Sequence, residues 1–368
     1  MSARANRIAV IGSGSWGTAA AGLVAGHADE VTLWCRDAGV ADAIKATRRN
    51  PRHLADYELP ATVRATADAA GALSGADAVI LAVPSAFLRA TCARLAAFVP
   101  AAAPVLVLTK GVEPGSHALM LDVAAAELGG PGRMAVLSGP NHAEEICRGK
   151  VSAAVIASQS AEVAERLRGL LVSSSFRVYV SSDVVGVELC GATKNVIAIA
   201  CGVAAGLGAG DNTLAVLMTR GLAEIGRVAA SLGGDPLTPM GLAGMGDLVA
   251  TCTSEHSRNR TFGEALVRGE SLDAYEARTR MVVEGARAAA SVLALARSRG
   301  IEVPITEAVN AVLHEGVSVE DATAQLLGRP PHGEFYGISA ATAALAFSSR
   351  SDDAATPSDT SFNAKEHA

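Results

Sequence analysis

Short apolar runs alternate with helical patterns over the first half of the chain. Such unbroken runs are typical of strands buried on both faces of a parallel sheet. The predicted strands cover 7–11, 30–34, 77–83, 105–108, 134–137, 153–157 and 176–180. Helical patterns cover 85–98, about 116–128 and 161–171, and residues 50–60 form a less regular connection. This alternation predicts an α/β fold that begins with a Rossmann-type, mostly parallel, doubly wound sheet.

Past residue 182 the strand signals stop and helical periodicity takes over. We therefore predict a dinucleotide-binding Rossmann domain over 1–182 and an all-helical C-terminal substrate and catalytic domain over 183–335. Residues 336–368 are rich in Ala, Ser, Asp and Thr, which predicts a disordered tail. One helix of the second half carries Arg220 and Glu224 four residues apart, a spacing that indicates a structural or surface ion pair.

The helix predicted over 187–201 opens the second half and is apolar on all sides. Lys194 lies in its middle. Burying an ammonium group is costly unless it is paired or loses its proton. The chain has five lysines against 26 arginines, so a lysine at this position needs an explanation. From the helix alone two interpretations stay open: a lysine that snorkels to the surface, and a lysine with a chemical role.

Composition excludes several classes of function. The chain has 368 residues, of which 50% are hydrophobic, with a net charge of −6 and a pI of about 5.8. This acidic balance and the lack of a long basic run argue against a nucleic-acid partner. A strand that starts by residue 7 leaves no room for a signal peptide, and the apolar run 196–210 is too short and glycine-rich to span a membrane. We expect a cytoplasmic protein without an integral membrane segment.

The six cysteines lie far apart and include no CxxC pair. That pattern indicates small buried hydrophobes in a reducing cytosol, with neither a disulfide frame nor a metal site. Their positions are 35, 92, 147, 190, 201 and 252.

Gly12, Gly14 and Gly17 form a G-x-G-x-x-G pattern between the first predicted strand and an alanine-rich helix. In that context the pattern is typical of a dinucleotide site. Gly12 permits the tight turn, Gly14 lets a pyrophosphate approach the backbone, and Gly17 allows close packing of helix on strand. The alternative is a glycine-rich turn that binds no ligand.

Arg36 follows the second predicted strand, where such folds usually place an acidic residue on the ribose 2′-hydroxyl. A guanidinium can instead pair with a 2′-phosphate or lie against adenine. Asp37 comes next and could still serve NAD. The predicted cofactor is therefore NADP or NAD, and Arg36 favours NADPH.

Several other loops carry candidate chemistry. Lys110 and Gly139 follow the carboxyl ends of strands, the edge along which ligands bind in such sheets, although a loop lysine is often simply exposed. Asp247 lies where a helix begins and could be its N-cap. The tripeptide at 257–259 supplies a hydroxyl, a guanidinium and an amide, the donors that phosphate prefers, although Ser and Asn also cap helices.

Nine short segments recur in an order and spacing that closely resemble the bacterial NAD(P)-dependent sn-glycerol-3-phosphate dehydrogenases over about residues 7–329. They are GSGSWGT (12–18), LW (33–34), TKG (109–111), SGP (138–140), GATKNV (191–196), GMGDL (244–248), SRNR (257–260), VVEG (282–285) and PITE (304–307). The resemblance implies a Rossmann domain followed by an all-helical domain, with catalysis in the cleft between them. The implied reaction is hydride transfer between the nicotinamide and C2 of dihydroxyacetone phosphate or glycerol 3-phosphate.

The resemblance also implies roles for individual residues. Lys194 matches the general acid/base, Lys110 would polarise the carbonyl oxygen, and Asp247 would orient Lys194. The implied substrate-binding positions are Lys110, Gly139, Asn141, Lys194, Asn195, Asp247, Thr251, Ser257, Arg258 and Asn259. The implied cofactor-binding positions are Gly12, Ser13, Gly14, Trp16, Gly17, Arg36, His53, Lys110, Ala143, Arg258, Val282 and Glu284. No metal is expected.

The chain departs from the family pattern at two places. Asn141-His142 replaces a more usual Thr/Ser-Phe, and the segment 51–55 replaces a more usual aromatic-Leu-Pro. Two other classes stay open: another two-domain β-hydroxy-acid dehydrogenase with a carboxylate substrate, and a non-enzymatic pyridine-nucleotide-binding protein. The second would have no reason to keep both candidate lysines, the aspartate and the phosphate-binding arginine. The expected partners are a small phosphate ester substrate and a second copy of the chain in a homodimer, and the product would supply glycerophospholipid synthesis.

Overall fold

The computed structural model describes residues 5–334 together with Tyr336 and Gly337. In chain order its strands are β1 (Ala5–Ile11), β2 (Ala28–Trp34), β3 (Val63–Thr66), β4 (Ala78–Leu81), β5 (Val105–Val107), β6 (Met134–Ser138), β7 (Ser152–Ala157) and β8 (Phe176–Ser181). They form one sheet in the order β3-β2-β1-β4-β5-β6-β7-β8. Every neighbouring pair is parallel except β6 and β7, which are antiparallel. The mostly parallel, doubly wound sheet is confirmed.

Helices connect these strands, and the sheet has a core on each face. The connecting helices are α1 (Ser15–Val24), α2 (Ala38–Thr47), α3 (Ala69–Leu73), α4 (Ser85–Leu95), α5 (Met120–Leu128), α6 (Ala143–Cys147) and α7 (Ala161–Gly169). Along β1, Ile8 and Val10 join one core cluster, whereas Ala9 and Ile11 join the other. Burial on both faces is why these strands appear in the sequence as unbroken apolar runs.

The seven predicted strands are all present, but four elements of the first half were not predicted. These are α2, the four-residue strand β3 and the five-residue helices α3 and α6. Because β3 lies at the edge of the sheet, only Val63 and Ala65 are buried and Arg64 is exposed. Such a strand has no continuous apolar run by which it could be recognised.

The second half is helical. Its helices are α8 (Val184–Gly206), α9 (Asp211–Ser231), α10 (Asp247–Thr253), α11 (Arg258–Val267), α12 (Leu272–Thr279), α13 (Glu284–Ser298), α14 (Pro304–His314) and α15 (Val319–Leu327). Helix α8 is central, because it packs against α9, α10, α11, α13 and α14 and also contacts β6. Among the described helices, α8 is the one long and apolar enough to cross a membrane, and 89% of its most apolar window is buried inside the protein. This burial is typical of a core helix.

The predicted pairing of Arg220 with Glu224 is wrong. Glu224 is buried, and its carboxylate accepts hydrogen bonds from the backbone N–H groups of Ile305 at 2.6 Å and Thr306 at 3.2 Å. It therefore caps the start of α14, while Arg220 donates to the carbonyl of Glu334 at 2.8 Å. Free N–H groups at a buried helix start are costly without an acceptor, whereas a surface ion pair contributes little to stability.

The predicted tail over 336–368 lies outside the described residues, apart from Tyr336 and Gly337. All six cysteines are free thiols, and Cys147 is the least buried of them. Within the described part of the chain, no three His, Cys, Asp or Glu side chains form a group that could hold a metal ion.

Candidate active site

The glycine loop after β1 packs tightly against neighbouring backbone on one side and is open on the other. Gly12 has φ +111°, and a Cβ atom there would lie 2.4 Å from the carbonyl oxygen of Ala82. A Cβ atom on Gly17 would lie 1.9 Å from the carbonyl oxygen of Gly12. At Gly14 a Cβ atom would meet nothing within 4 Å, so this side of the loop is open. The loop and the start of α1 therefore fit the pyrophosphate of a dinucleotide.

A buried amide that sequence reasoning missed holds this loop in place. The Asn50 side-chain nitrogen donates to the Ser13 carbonyl at 2.8 Å and to the Thr18 hydroxyl at 2.9 Å. Its side-chain oxygen accepts from the backbone N–H groups of Arg52 at 3.0 Å and His53 at 3.2 Å. The partners Ser13 and Thr18 are distant in sequence, so no local pattern could identify this role.

Three of the other predicted cofactor positions lie at the starts of helices. Trp16, Ala143 and Glu284 stand in the first turns of α1, α6 and α13. Arg258 is exposed and donates to the carbonyl of Val282 at 3.3 Å.

The imidazole of His53 faces a positively charged environment. Burial, followed by the charges of Arg258 and Arg52, lowers the pKa of His53. Its Nδ1 atom is buried without a hydrogen-bond partner among the described residues. A neutral imidazole with a free nitrogen could serve a bound ligand.

Two lysines meet on one buried aspartate. Lys110, after β5, donates to Oδ2 of Asp247 at 2.6 Å, and Lys194, in α8, donates to Oδ1 of the same carboxylate. Lys194 also donates to the Thr251 hydroxyl at 2.8 Å, and Ser138 donates to Asp247 Oδ2 at 3.3 Å. Lys194 is 7% exposed and Asp247 is 2% exposed. Lys194 does not snorkel to the surface, and Lys110 is not an exposed loop lysine.

The electrostatics of this cluster follow from burial and from its three charges. Burial lowers the pKa of Lys194 to about 8; Asp247 opposes this shift and Lys110 adds to it. Burial alone would raise the pKa of Asp247, but Lys110 and Lys194 together hold it below its ordinary value. Two ammonium groups and one carboxylate carry a net charge of +1, which suits a developing oxyanion.

Asp247 is the first residue of α10 rather than its N-cap. Gly246 occupies the cap position, and no side-chain cap is formed there. The Asp247 carboxylate turns instead to the two lysines, so the capping interpretation is wrong. Ser138, which also contacts Asp247, was not predicted, although it lies directly before Gly139 at the end of β6.

Ser257 and Asn259, in the segment 257–259, have different structural roles. The Ser257 hydroxyl accepts from the Arg260 N–H at 3.3 Å and so caps α11. The Asn259 side chain donates to Oδ1 of Asn195 at 2.9 Å and accepts from the Gly285 N–H at 2.9 Å. Asn259 therefore holds Asn195, the neighbour of the buried lysine, against the start of α13.

Gly139 and Asn141 lie beside β7. Gly139 has φ +144°, and a Cβ atom there would lie 2.8 Å from the carbonyl oxygen of Ala153. Asn141 donates to that same carbonyl at 3.0 Å, while its own side-chain oxygen is buried without a partner among the described residues. This free acceptor is available to a ligand that brings a donor.

Glu188, another residue that sequence reasoning missed, joins α8 to the segment after Lys110. Its carboxyl group accepts from the Leu121 N–H at 2.9 Å in the first turn of α5. Burial raises the pKa of Glu188 to about 8. The neutral acid thus caps α5 from the helix that carries Lys194.

We expect Glu188→Ala to lower the free energy of unfolding by about 2 kcal/mol, because a buried N–H loses its acceptor. Glu188→Gln is the matched control: the amide resembles the neutral acid and still accepts from Leu121, so its loss should stay below about 1 kcal/mol. Urea unfolding measures both. Equal losses in the two variants would contradict the capping role.

A Rossmann sheet with this glycine loop, together with a buried lysine–aspartate–lysine cluster, indicates a pyridine-nucleotide-dependent oxidoreductase. Comparison with known proteins narrows this class. Residues 7–164 match the N-terminal domain, and residues 183–324 the C-terminal domain, of NAD-dependent glycerol-3-phosphate dehydrogenase. The chain belongs to the NAD-dependent glycerol-3-phosphate dehydrogenase family.

Named relatives agree with this assignment. A glycerol-3-phosphate dehydrogenase (NAD(P)+) of Nocardia farcinica is 50% identical over 330 residues, which cover 88% of this chain and 98% of the relative. One from Mycobacterium tuberculosis is 48% identical, covering 89% and 98%. The crystal structure of the Coxiella burnetii enzyme superposes with a TM-score of 0.84 at 38% identity, covering 89% of this chain and all of that one. The predicted family, oxidoreductase class and cofactor type, NAD or NADP, are confirmed.

A more distant likeness concerns the fold alone. A ketopantoate reductase of Ralstonia eutropha has a TM-score of 0.55 at 20% identity, covering 87% of this chain and 99% of that one.

Proposed function

We propose that this chain catalyses the reversible NAD(P)H-dependent reduction of dihydroxyacetone phosphate to sn-glycerol 3-phosphate. The observation that carries the proposal is the buried cluster in which Lys194 and Lys110 share Asp247. Initial rates of NADPH or NADH oxidation with dihydroxyacetone phosphate test it directly. A β-hydroxy-acid dehydrogenase would instead turn over a carboxylate substrate and leave dihydroxyacetone phosphate unreduced.

Lys194 is the proton donor in this reaction. Bound reduced nicotinamide supplies the hydride for C2 of the substrate. Two N–H groups of Lys194 are used by Asp247 and Thr251, so the third can reach the substrate oxygen. Lys110, held by the other oxygen of Asp247, polarises the carbonyl and stabilises the negative charge that develops on it.

The substrate phosphate binds at the start of α11. Arg258 is exposed and provides a charged donor, with Ser257 beside it. The Asn259 side chain is already hydrogen-bonded to Asn195 and Gly285, so its role is to position the site. The backbone N–H of Asn259, in the first turn of α11, is the group that contributes to phosphate binding.

The remaining assignments concern the rest of the ligand surface. Gly139, Asn141, Asn195 and Thr251 line the substrate, since they surround the lysine cluster or leave a polar atom free there. The cofactor lies along Gly12, Ser13, Gly14, Trp16, Gly17, Arg36, His53, Lys110, Ala143, Arg258, Val282 and Glu284. NADPH is preferred over NADH because Arg36 follows β2.

We expect the two directions of the reaction to respond oppositely to pH. Reduction needs protonated Lys194, so its kcat/KM is retained below the Lys194 pKa of about 8 and falls as pH rises through that value. Oxidation of glycerol 3-phosphate needs neutral Lys194 and gains over the same range. Initial rates in both directions between about pH 6 and 10 measure this. Parallel profiles in the two directions would contradict the assignment.

The wider setting is also proposed. The chain acts in the cytoplasm as a homodimer and supplies glycerol 3-phosphate to glycerophospholipid synthesis. Its domains divide at about residue 182, which falls between the end of β8 and the start of α8. Sedimentation of the full chain tests the dimer.

A further inference from the structure

The loop that contains Arg52 lies between the glycine loop and the end of β2. Asn50 anchors the loop to the Ser13 carbonyl and receives the Arg52 N–H at 3.0 Å. The Arg52 guanidinium reaches Asp37, directly after Arg36. In a sheet of this kind, the adenosine ribose lies between these same two points, the first loop and the tip of the second strand. Arg52 therefore stands where the ribose of such a cofactor would be bound.

Asp37 is occupied by the protein itself. Its Oδ1 accepts from the N–H groups of Gly39 at 2.8 Å and Val40 at 3.4 Å, which makes it the N-cap of α2. Its Oδ2 pairs with Arg52. The hydrogen bond from Arg52, followed by those two backbone bonds, holds the pKa of Asp37 below its usual value. An acidic residue that binds a ribose diol needs free oxygens, and both oxygens of this carboxylate are already engaged.

Positive charge predominates at this point. Arg36 is exposed, and its guanidinium carbon lies 5.7 Å from the centre of the Phe87 ring. Arg36 and Arg52 together outweigh Asp37 by one charge. A guanidinium has five N–H donors, so Arg52 can hold Asp37 and still present donors to a second anion.

We infer that Arg52 is a specificity-determining residue, which forms with Arg36 a subsite for the 2′-phosphate of NADPH, while Asp37 holds Arg52 in place and is not a ribose ligand. This inference rests on the proposed dehydrogenase function and adds a residue to its cofactor site. Without such a role, the Arg52–Asp37 pair would be an ordinary exposed ion pair, which contributes little.

Binding of adenosine 2′,5′-bisphosphate and of 5′-AMP to the protein alone tests the inference by calorimetry, because these ligands differ only in the 2′-phosphate. We expect Arg52→Ala to weaken binding of the bisphosphate about tenfold or more, the effect of losing charge-assisted hydrogen bonds. Binding of 5′-AMP should stay within about twofold. Arg52→Lys, which keeps the charge without the fork, should fall between the two.

Arg49→Ala is the matched control, because Arg49 lies in the same loop and pairs with Glu58 at 3.3 Å, away from Asp37. It should leave both affinities unchanged. Asp37→Asn keeps a capping side chain and should leave kcat/KM with NADH within about twofold. An equal loss of both ligands in Arg52→Ala, no loss at all, or a tenfold loss with NADH in Asp37→Asn would overturn the inference.

The same variants separate this inference from the proposed reaction. Arg52→Ala should still reduce dihydroxyacetone phosphate with NADH, and its ratio of kcat/KM for NADPH to that for NADH should fall with the bisphosphate affinity. A wild-type chain that reduces dihydroxyacetone phosphate with neither cofactor would reject the reaction, whatever the binding results.

Discussion

Lys194→Ala is expected to lower kcat for reduction of dihydroxyacetone phosphate by about 10³-fold or more, the range that a positioned general acid supplies. Lys110 remains on Asp247 in this variant, but among the described residues Lys194 is the lysine that donates to both Asp247 and Thr251. Cofactor affinity should change little, because the loss is at the reacting oxygen and not at the glycine loop. Steady-state rates and calorimetric NADPH binding measure the two effects separately.

Folding is not expected to suffer in this variant. Burial lowers the pKa of Lys194, so the folded state gains little from the charge of this lysine. Asp247 also keeps Lys110 as its counterion in the variant. Lys150→Ala is the control, since Lys150 is an exposed lysine near Glu145. A Lys194→Ala enzyme with near-normal kcat would remove Lys194 from the chemistry.

Asp247→Ala should be the most destabilising single change in the cluster. It leaves two buried ammonium groups side by side without a counterion, and breaking a buried pair in this way costs about 3–5 kcal/mol. Loss of the shared anchor also displaces both lysines, so we expect kcat/KM to fall about hundredfold. Urea unfolding and initial rates measure the two effects.

The pH dependence of the Asp247→Ala defect identifies its cause. Without the carboxylate, Lys194 loses the charge that opposes the effect of burial, so its folded-state pKa falls further below its unfolded value and the folded state binds fewer protons. Stability should then recover as pH rises and the unfolded lysines also lose their protons. Asp42 is an exposed aspartate that pairs with Lys45, so Asp42→Asn should change neither the free energy of unfolding nor kcat/KM. A defect in Asp247→Ala that stays constant with pH would indicate lost packing instead of unpaired charge.

Sequence patterns identified the parts of this protein whose structure depends on residues close together in the chain. The unbroken apolar runs predicted the central strands because both faces of the sheet are covered. The glycine loop was identified from its G-x-G-x-x-G spacing between a strand and a helix, and the structure shows the physical reason: a Cβ atom on Gly12 or Gly17 would meet backbone. The edge strand β3 was missed because it is short and half exposed, so its residues show neither pattern.

Errors arose where a partner lies far along the chain. Glu224 was predicted to pair with its helical neighbour Arg220. Its carboxylate instead accepts from the start of α14, because buried N–H groups need an acceptor. Asn50 showed no local signal, since its partners are Ser13 and Thr18. The resemblance to a family pointed to Asp247 but did not show that one carboxylate serves both lysines.

The sequence by itself determined seven of the strands of the sheet, the dinucleotide loop and the family of enzymes. Each follows from residue spacing, or from motifs that keep their order along the chain. Only the tertiary structure decided how charge is arranged. Lys110 follows β5, Lys194 lies in α8 and Asp247 begins α10. Burial in the fold lowers the pKa of Lys194 to about 8, with Asp247 opposing the shift and Lys110 adding to it. Charge interactions depend on distance and burial, and both are properties of the folded chain.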